Sequence, residues 1–161
     1  SKYLHLSSTH KFPRVVSVQN PYSLINRTYE VGLAEMSVRE KVGLLAYSPL
    51  AFGMLTGKYL NGQMPEGSRL KLYSKNFPRY QGTRSQLAVE EYYKIAQKYE
   101  MSLTQMSLAF VNMQPFVDSN IIGATNMKQL EENIDSIHID LSDEIIKDIN
   151  AIHENNPSPA P

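Results

Sequence analysis

Three short segments of this chain end in residue types suited to binding a ligand rather than reacting with it. Val15-Val16-Ser17-Val18-Gln19 runs into Asn20, which places amide side chains at the end of a strand-like segment. Val42-Gly43-Leu44-Leu45-Ala46-Tyr47 runs into Ser48-Pro49-Leu50-Ala51-Phe52-Gly53 and on through Leu55-Thr56-Gly57-Lys58-Tyr59. Ser119-Asn120-Ile121-Ile122-Gly123 runs into Ala124-Thr125-Asn126, directly before a helical pattern. In parallel α/β folds, ligands collect at the carboxyl ends of the strands. A helix N-terminus there offers free N–H groups and a positive dipole end, which suits phosphate. Small residues let the backbone approach closely, and Lys58 and Arg69 can supply the charge that a phosphate attracts. Residue types alone leave other readings open. Gly123-Ala124-Thr125-Asn126 could be an ordinary tight turn, Tyr47 could be core, and Gln19 could satisfy backbone groups within a sheet. The segment Gly53-Met54-Leu55-Thr56-Gly57-Lys58 matches neither a Walker loop nor a Rossmann fingerprint.

Reactive constellations are harder to find. The four His residues, His5, His10, His138 and His153, share no metal-ligand spacing. Glu90-Glu91, Glu131-Glu132 and Asp143-Glu144 are neighbours in sequence, so on a helix the members of each pair face different directions. There is no Cys, which excludes thiolate nucleophiles, disulfides and zinc-thiolate sites, and suits a reducing, cytoplasmic setting. Lys plus Arg and Asp plus Glu number 16 each, a balance that argues against binding nucleic acid or a membrane surface through bulk charge. No apolar run approaches the ~20 residues of a membrane span. The chain opens Ser1-Lys2-Tyr3, without Met or a leader pattern, which suggests that something upstream has been removed.

The elements that would position these residues follow from pattern. A strand is expected at Val15–Gln19, ended by Asn20-Pro21, and then a helix over Thr28–Glu40 with Asn26 as its cap and Tyr29, Leu33 and Met36 on its apolar face. Val42–Tyr47 reads as a strand buried on both faces. A long Gly- and Pro-rich irregular stretch reaches to about Thr83, and a stretch of that length is usually functional or mobile. A helix over Leu87–Tyr99 follows, with Leu87, Tyr92, Ile95, Ala96 and Tyr99 on one side. Ser102 and Gln105 form a capping box that opens a helix to about Met113, which Pro115 stops. A third strand at Ser119–Gly123, a helix over Met127–Ser136 and a last helix capped by Ser142 complete the order. Residues 155–161 should be extended or disordered. Alternating strands and helices imply βαβ units and a parallel sheet. Three strands are too few for a doubly wound domain, or for a closed barrel of eight strands in about 250 residues.

The three strand-end motifs together resemble the aldo-keto reductases. Val18-Gln19-Asn20-Pro21-Tyr22-Ser23-Leu24-Ile25-Asn26-Arg27 is similar to that family's sixth strand. Leu45 through Tyr59 is similar to the seventh strand and its loop, and Ile121 through Asn133 to the eighth strand and its helix. Within the family, the bacterial Tas-type NADPH-dependent reductases resemble the chain more than the potassium-channel β-subunits do. The resemblance runs collinearly over the whole chain. It implies an α/β fold that is a partial (β/α)8 TIM barrel, units six to eight with the C-terminal helices. Residues 1–154 would be the C-terminal part of the barrel and 155–161 its tail.

The resemblance also implies roles. Gln19 matches the glutamine that hydrogen-bonds the nicotinamide amide, and Tyr47 the aromatic that stacks on its ring. Ser48 and Leu50 match the pyrophosphate wall, with Pro49, Ala51 and Phe52 shaping it. Lys58 and Arg69 match basic residues of the cofactor-holding loop. Gly123 and Thr125 match the 2′-phosphate turn, and Gln129, Glu132 and Asn133 the adenosine-binding helix face, where their i,i+3 and i,i+4 spacing allows one face to present all three. The cofactor would be NADP(H) and the substrate a small carbonyl compound. The family's Asp, Tyr, Lys and His acid–base tetrad and its strand-five Ser-Asn pair would precede Ser1, so this chain is expected to hold the cofactor cradle without the proton-transfer machinery. The missing half, or another chain, should cover the sheet edges, with no nucleic acid or membrane partner. Two alternatives are a short non-catalytic half-barrel that binds nucleotide or self-assembles, and an interaction role like that of the channel β-subunits.

Overall fold

The computed structural model describes residues 2–161. Its sheet comprises β1 (Ser17–Pro21), β2 (Gly43–Tyr47) and β3 (Val117–Ile121), all parallel and in the spatial order of the chain. Helices α1 (Lys2–His10), α2 (Leu33–Glu40), α3 (Arg69–Tyr73), α4 (Thr83–Lys98), α5 (Leu103–Asn112), α6 (Met127–Asp135) and α7 (Asp143–Asn155) surround it. The α/β architecture with a parallel sheet agrees with the expected partial barrel.

Register decides what each sheet face presents. Val18 pairs with Leu44 and Asn20 with Ala46, and Leu44 and Ala46 are fully buried against the helices. The alternate residues Gln19, Leu45 and Ser119 form one row and Pro21, Tyr47 and Ile121 the next. On that second face Gln19 and Ser119 are exposed, while Leu45 and Tyr47 are half-buried. The apolar run of β2 is therefore fully buried on one face only, and among the described residues the other face is left half-covered at Leu45 and Tyr47. Parallel sheets are ordinarily covered on both sides.

The core lies between the sheet and α4 and α5. Helix α5 is buried along most of its length, and Phe110 stacks beside Tyr22 at a 6.1 Å centroid separation. Its capping box is present as expected: Gln105 N–H donates to Ser102 Oγ at 3.0 Å and Ser102 N–H to Gln105 Oε1 at 3.3 Å.

Several boundaries differ from expectation. β1 begins at Ser17 and includes Pro21, which an edge strand tolerates because its missing N–H need pair with nothing. Val15 and Val16 fall outside it, and Val16 is 69% exposed. β3 starts two residues earlier than expected and ends at Ile121. The single helix expected over Thr28–Glu40 is split. A 3₁₀ turn at Thr28–Glu30 precedes Gly32, whose φ of +87° interrupts the helical path before α2 begins. Asn26 is not the cap that was expected: Arg27 precedes the turn and makes no side-chain cap bond, while Asn26, one residue further back, accepts from Thr28 N–H at 3.3 Å and from its hydroxyl at 2.7 Å. Tyr29 is buried, but Leu33 and Met36 are 42% and 37% exposed, so the predicted apolar face points outward. α4 starts at Thr83, and Leu87 on it is exposed. The stretch expected to be irregular is a chain of short turns, Ala51–Thr56, Leu60–Gly62 and Pro78–Tyr80 among them, with α3 between. The tail expected to be extended or disordered over 155–161 is shorter and ordered: α7 runs to Asn155, and residues 157–161 are irregular, with Ser158 at φ +42°, and packed, with Ala160 fully buried.

Candidate functional site

The three strands end level with one another, Pro21 opposite Tyr47 and Tyr47 opposite Ile121. Gln19 and Tyr47 share the uncovered face. Gln19 is exposed there, so it does not serve the sheet interior, and Tyr47 is not a core residue.

The chain leaves β2 through an unusual backbone. Ser48, Ala51 and Phe52 have φ of +55°, +48° and +61°, and Gly53 has +94°. Non-glycine residues in this region cost on the order of 1–3 kcal/mol each and persist where the surroundings impose them. Turn hydrogen bonds Ala51 N to Ser48 O and Gly53 N to Leu50 O, both 2.8 Å, hold the path, and buried Pro49, Ala51, Met54 and Leu55 anchor it. A side chain at Gly53 would meet Lys58 Cε at 2.9 Å, so the glycine lets the lysine lie across the turn. Phe52 is thereby turned toward Phe77 and Tyr80, with centroids 4.0 and 6.0 Å away.

Two cations meet this loop. Lys58 Nζ lies 5.2 Å from the Tyr59 ring centroid. The Arg69 guanidinium, from the first turn of α3, lies 5.5 Å from the Phe52 centroid. Its Nη2 is also 3.6 Å from where a Cβ on Gly123 would stand. Arg69 therefore joins the loop after β2 to the turn after β3. Among the described residues neither Lys58 nor Arg69 is in an ion pair.

The turn after β3 is arranged by α6. Asn126 caps the helix, accepting from Gln129 N–H at 3.0 Å. Thr125 donates both its N–H and its hydroxyl to Gln129 Oε1 at 2.9 Å. Asn133, buried, donates to the Gly123 carbonyl at 3.3 Å. Glu132 accepts instead from the Ser102 hydroxyl at 2.6 Å, which places it at the start of α5. Gln129 and Asn133 are thus gathered at the strand-end turn, while Glu132 faces a neighbouring helix.

The most perturbed titratable groups lie elsewhere. Arg27 forms a fork with Glu30 (Nε–Oε1 2.7 Å, Nη2–Oε2 2.8 Å), donates to Asn150 Oδ1 at 2.8 Å and lies 5.0 Å from the Phe110 ring centroid. Tyr22 donates to Glu30 at 2.5 Å, and burial together with the Glu30 charge drives its phenol far above the ordinary range. Burial likewise keeps Tyr92 neutral, its hydroxyl donating to the Leu24 carbonyl at 3.1 Å. These groups are enclosed and matched to one another, an arrangement that holds structure and gives no substrate access. Among the described residues there is no metal-binding cluster and no helix long and apolar enough to cross a membrane. Phe77, Arg79 and Tyr80 adjoin the site and escape sequence reasoning. The spacing of aromatics within the Gly- and Pro-rich stretch was the available signal.

Comparison with known proteins accords with this geometry. Residues 2–154 match the sequence profile described as the Aldo/keto reductase family. The chain is 53% identical to the protein Tas of Escherichia coli over 160 residues, spanning 99% of this chain and 46% of that protein. It is 38% identical to an aldo-keto reductase of Babesia bovis, over 85% of this chain and 50% of the relative. An L-glyceraldehyde 3-phosphate reductase of Escherichia coli is 32% identical over 85% of this chain and 40% of its own length. The chain thus spans about half the length of these curated relatives.

Proposed function

Because this chain belongs to the aldo/keto reductase family, we propose that it supplies the NADPH-binding part of an oxidoreductase acting on aldehydes or ketones. The observation that carries this reading is Arg69, which is unpaired and bridges Phe52 to Gly123 between two strand-end segments. With Lys58 against the same loop at Gly53, and Gly123 leading into α6, the site suits an anionic dinucleotide. When bound, the cofactor would supply a hydride. Gln19 and Tyr47, on the uncovered face, are positioned to orient its nicotinamide. Ser48 through Phe52 would follow the pyrophosphate, Lys58, Arg69, Gly123 and Thr125 the 2′-phosphate, and Gln129 and Asn133 the adenosine. Orientation is this part's contribution to rate. The residues that move the proton to the carbonyl oxygen would lie on the preceding units of the barrel, which would also cover the sheet face left open here.

The test is cofactor selectivity in the full-length polypeptide. A charge-assisted contact contributes roughly 1.5–3 kcal/mol, so Lys58→Ala or Arg69→Ala should each weaken NADPH binding about ten-fold or more. NADH binding should change much less, and NADPH affinity should fall with added salt. Equal losses for both cofactors, or none, would show that these cations do not read the phosphate.

A further inference from the structure

The C-terminal residues make contacts that nothing above explains. Ala160 is fully buried and its N–H donates to the Ile25 carbonyl at 3.0 Å. Pro159 presents its carbonyl to the Ser85 hydroxyl at 2.9 Å, and the same hydroxyl reaches the Arg79 carbonyl at 2.9 Å. Arg79 Nη1 donates to the Pro161 oxygen at 3.2 Å. Ser158, with φ of +42°, accepts from Arg27 N–H at 3.1 Å. A proline-rich segment that only trailed into solvent would need neither a buried alanine nor a residue in the left-handed region.

The contacts continue toward the cofactor loop. The Arg79 guanidinium lies 4.9 Å from the Tyr80 ring centroid and donates to its hydroxyl at 3.2 Å. Tyr80 is buried and nearly coplanar with Phe52, at 5°. Phe52 in turn lies under Arg69. We propose that residues 157–161 act as a positioning strap, holding Arg79 and Tyr80 so that Phe52 and Arg69 are set for the cofactor. The physical logic is preorganisation. The loop carries several left-handed residues and spans about thirty positions of short turns, and tethering its far end to α4 and the tail removes conformations in which Arg69 points away. The cofactor consequence rests on the function proposed above. The strap itself does not.

The experiment uses the full-length polypeptide with Ser85→Ala, which removes one hydroxyl, and Ala160→Glu, which should undock the segment. Amide exchange without ligand should quicken about ten-fold across Ala51–Thr56 and Arg69–Tyr73, while β1, β2 and β3 keep their protection. NADPH should bind about five-fold more weakly, with NADH less affected, and combination with Arg69→Ala should be non-additive because both changes act on one contact. Unchanged loop exchange in Ala160→Glu overturns the strap. Faster exchange with unchanged NADPH affinity, or additive losses with Arg69→Ala, overturns its role in cofactor binding. Arg69→Ala alone reads the function proposed above: if it leaves NADPH affinity intact, that reading fails while the exchange rates still decide the strap. Because Ser85→Ala keeps the fold's volume, it answers even where Ala160→Glu does not fold.

Discussion

Arg27 shows how much structure one side chain can hold when each of its three guanidinium nitrogens has a partner. Its fork to Glu30, its bond to Asn150 and its stack over Phe110 tie the segment after β1 to α5 and α7. Removing one partner of this partly buried ion pair leaves the other poorly compensated, so Arg27→Ala should lower the urea midpoint, at a cost below the roughly 3–5 kcal/mol of breaking a fully buried pair. The same cluster sets a pH dependence. Burial raises the Glu30 carboxyl, but hydrogen bonds from Arg27 and Tyr22, with the Arg27 charge, more than offset it and leave it below its ordinary 4.5. Its stability is therefore present above that value and lost as pH falls through the folded pKa. Burial first, then the Arg27 charge, lowers His153 from its ordinary 6.5. The folded state disfavours the imidazolium, so stability should begin to decline below about pH 6.5. Urea midpoints followed from pH 7 to about pH 2 should fall in two stages, the first below about 6.5 and the second below about 4.5, and His153→Gln should remove the first. A flat profile would show that neither group is coupled to folding. None of this is visible in sequence, because Arg27 and Asn150 meet only in the folded chain. The placement of Gln19 and Tyr47 near strand ends was legible, and Lys58 was legible as a cation in the loop that follows β2.

At the scale of elements, what was legible is what is local. The capping box at Ser102 depends on residues three apart, and so does the Asn126 cap of α6; Asp143 and Glu144 follow Ser142 directly. Ser102→Ala should cost about 1 kcal/mol through the lost cap. It also removes the donor to Glu132, so the loss should shrink when Glu132 is already Ala. Additive urea midpoints in that double mutant would show the two residues to be independent. Strand limits were less legible because β-branched residues favour a strand without marking its ends. Val15 and Val16 satisfy the pattern but fall outside β1, with Val16 contributing only its carbonyl, which accepts from Gly43 N–H at 3.3 Å, whereas Pro21 breaks the pattern but sits where no donor is needed. The split at Gly32 was readable only as a glycine inside a helical pattern. The short turns after β2 were not readable at all, since positive φ at Ala51 and Phe52 is imposed by packing rather than chosen by residue type.

Across the whole molecule, exposed apolar residues are spread over many segments, among them Met64, Leu72 and Tyr73 after β2 and Leu87 on α4, and some lie toward the two ends of the strand order. Phe12, Val16, Val31 and Val38 lie on segments beside β1, and Ile121, Met127, Ile134 and Ile137 on or after β3. Between them one sheet face is open. Parallel strands with unpaired edges recruit partners or aggregate. The isolated 161-residue chain should therefore self-associate at micromolar concentration in sedimentation velocity, and should not oxidise NADPH with a reactive aldehyde. A well-behaved monomer, or steady turnover by preparations free of longer reductase, would contradict these expectations. Helix α2 departs from its expected pattern: Leu33 and Met36 are exposed, and Ser37 is buried in their place.

The strap has a consequence in time. Arg79 and Pro161 are separated by 82 residues. At roughly 5–20 residues per second, a ribosome needs about 4–16 s to travel that distance. During that interval the loop after β2 has been synthesised but lacks its tether to residues 157–161. Nascent chains halted before Ala160 should then be cut by protease between β2 and α4, and chains released past it should resist.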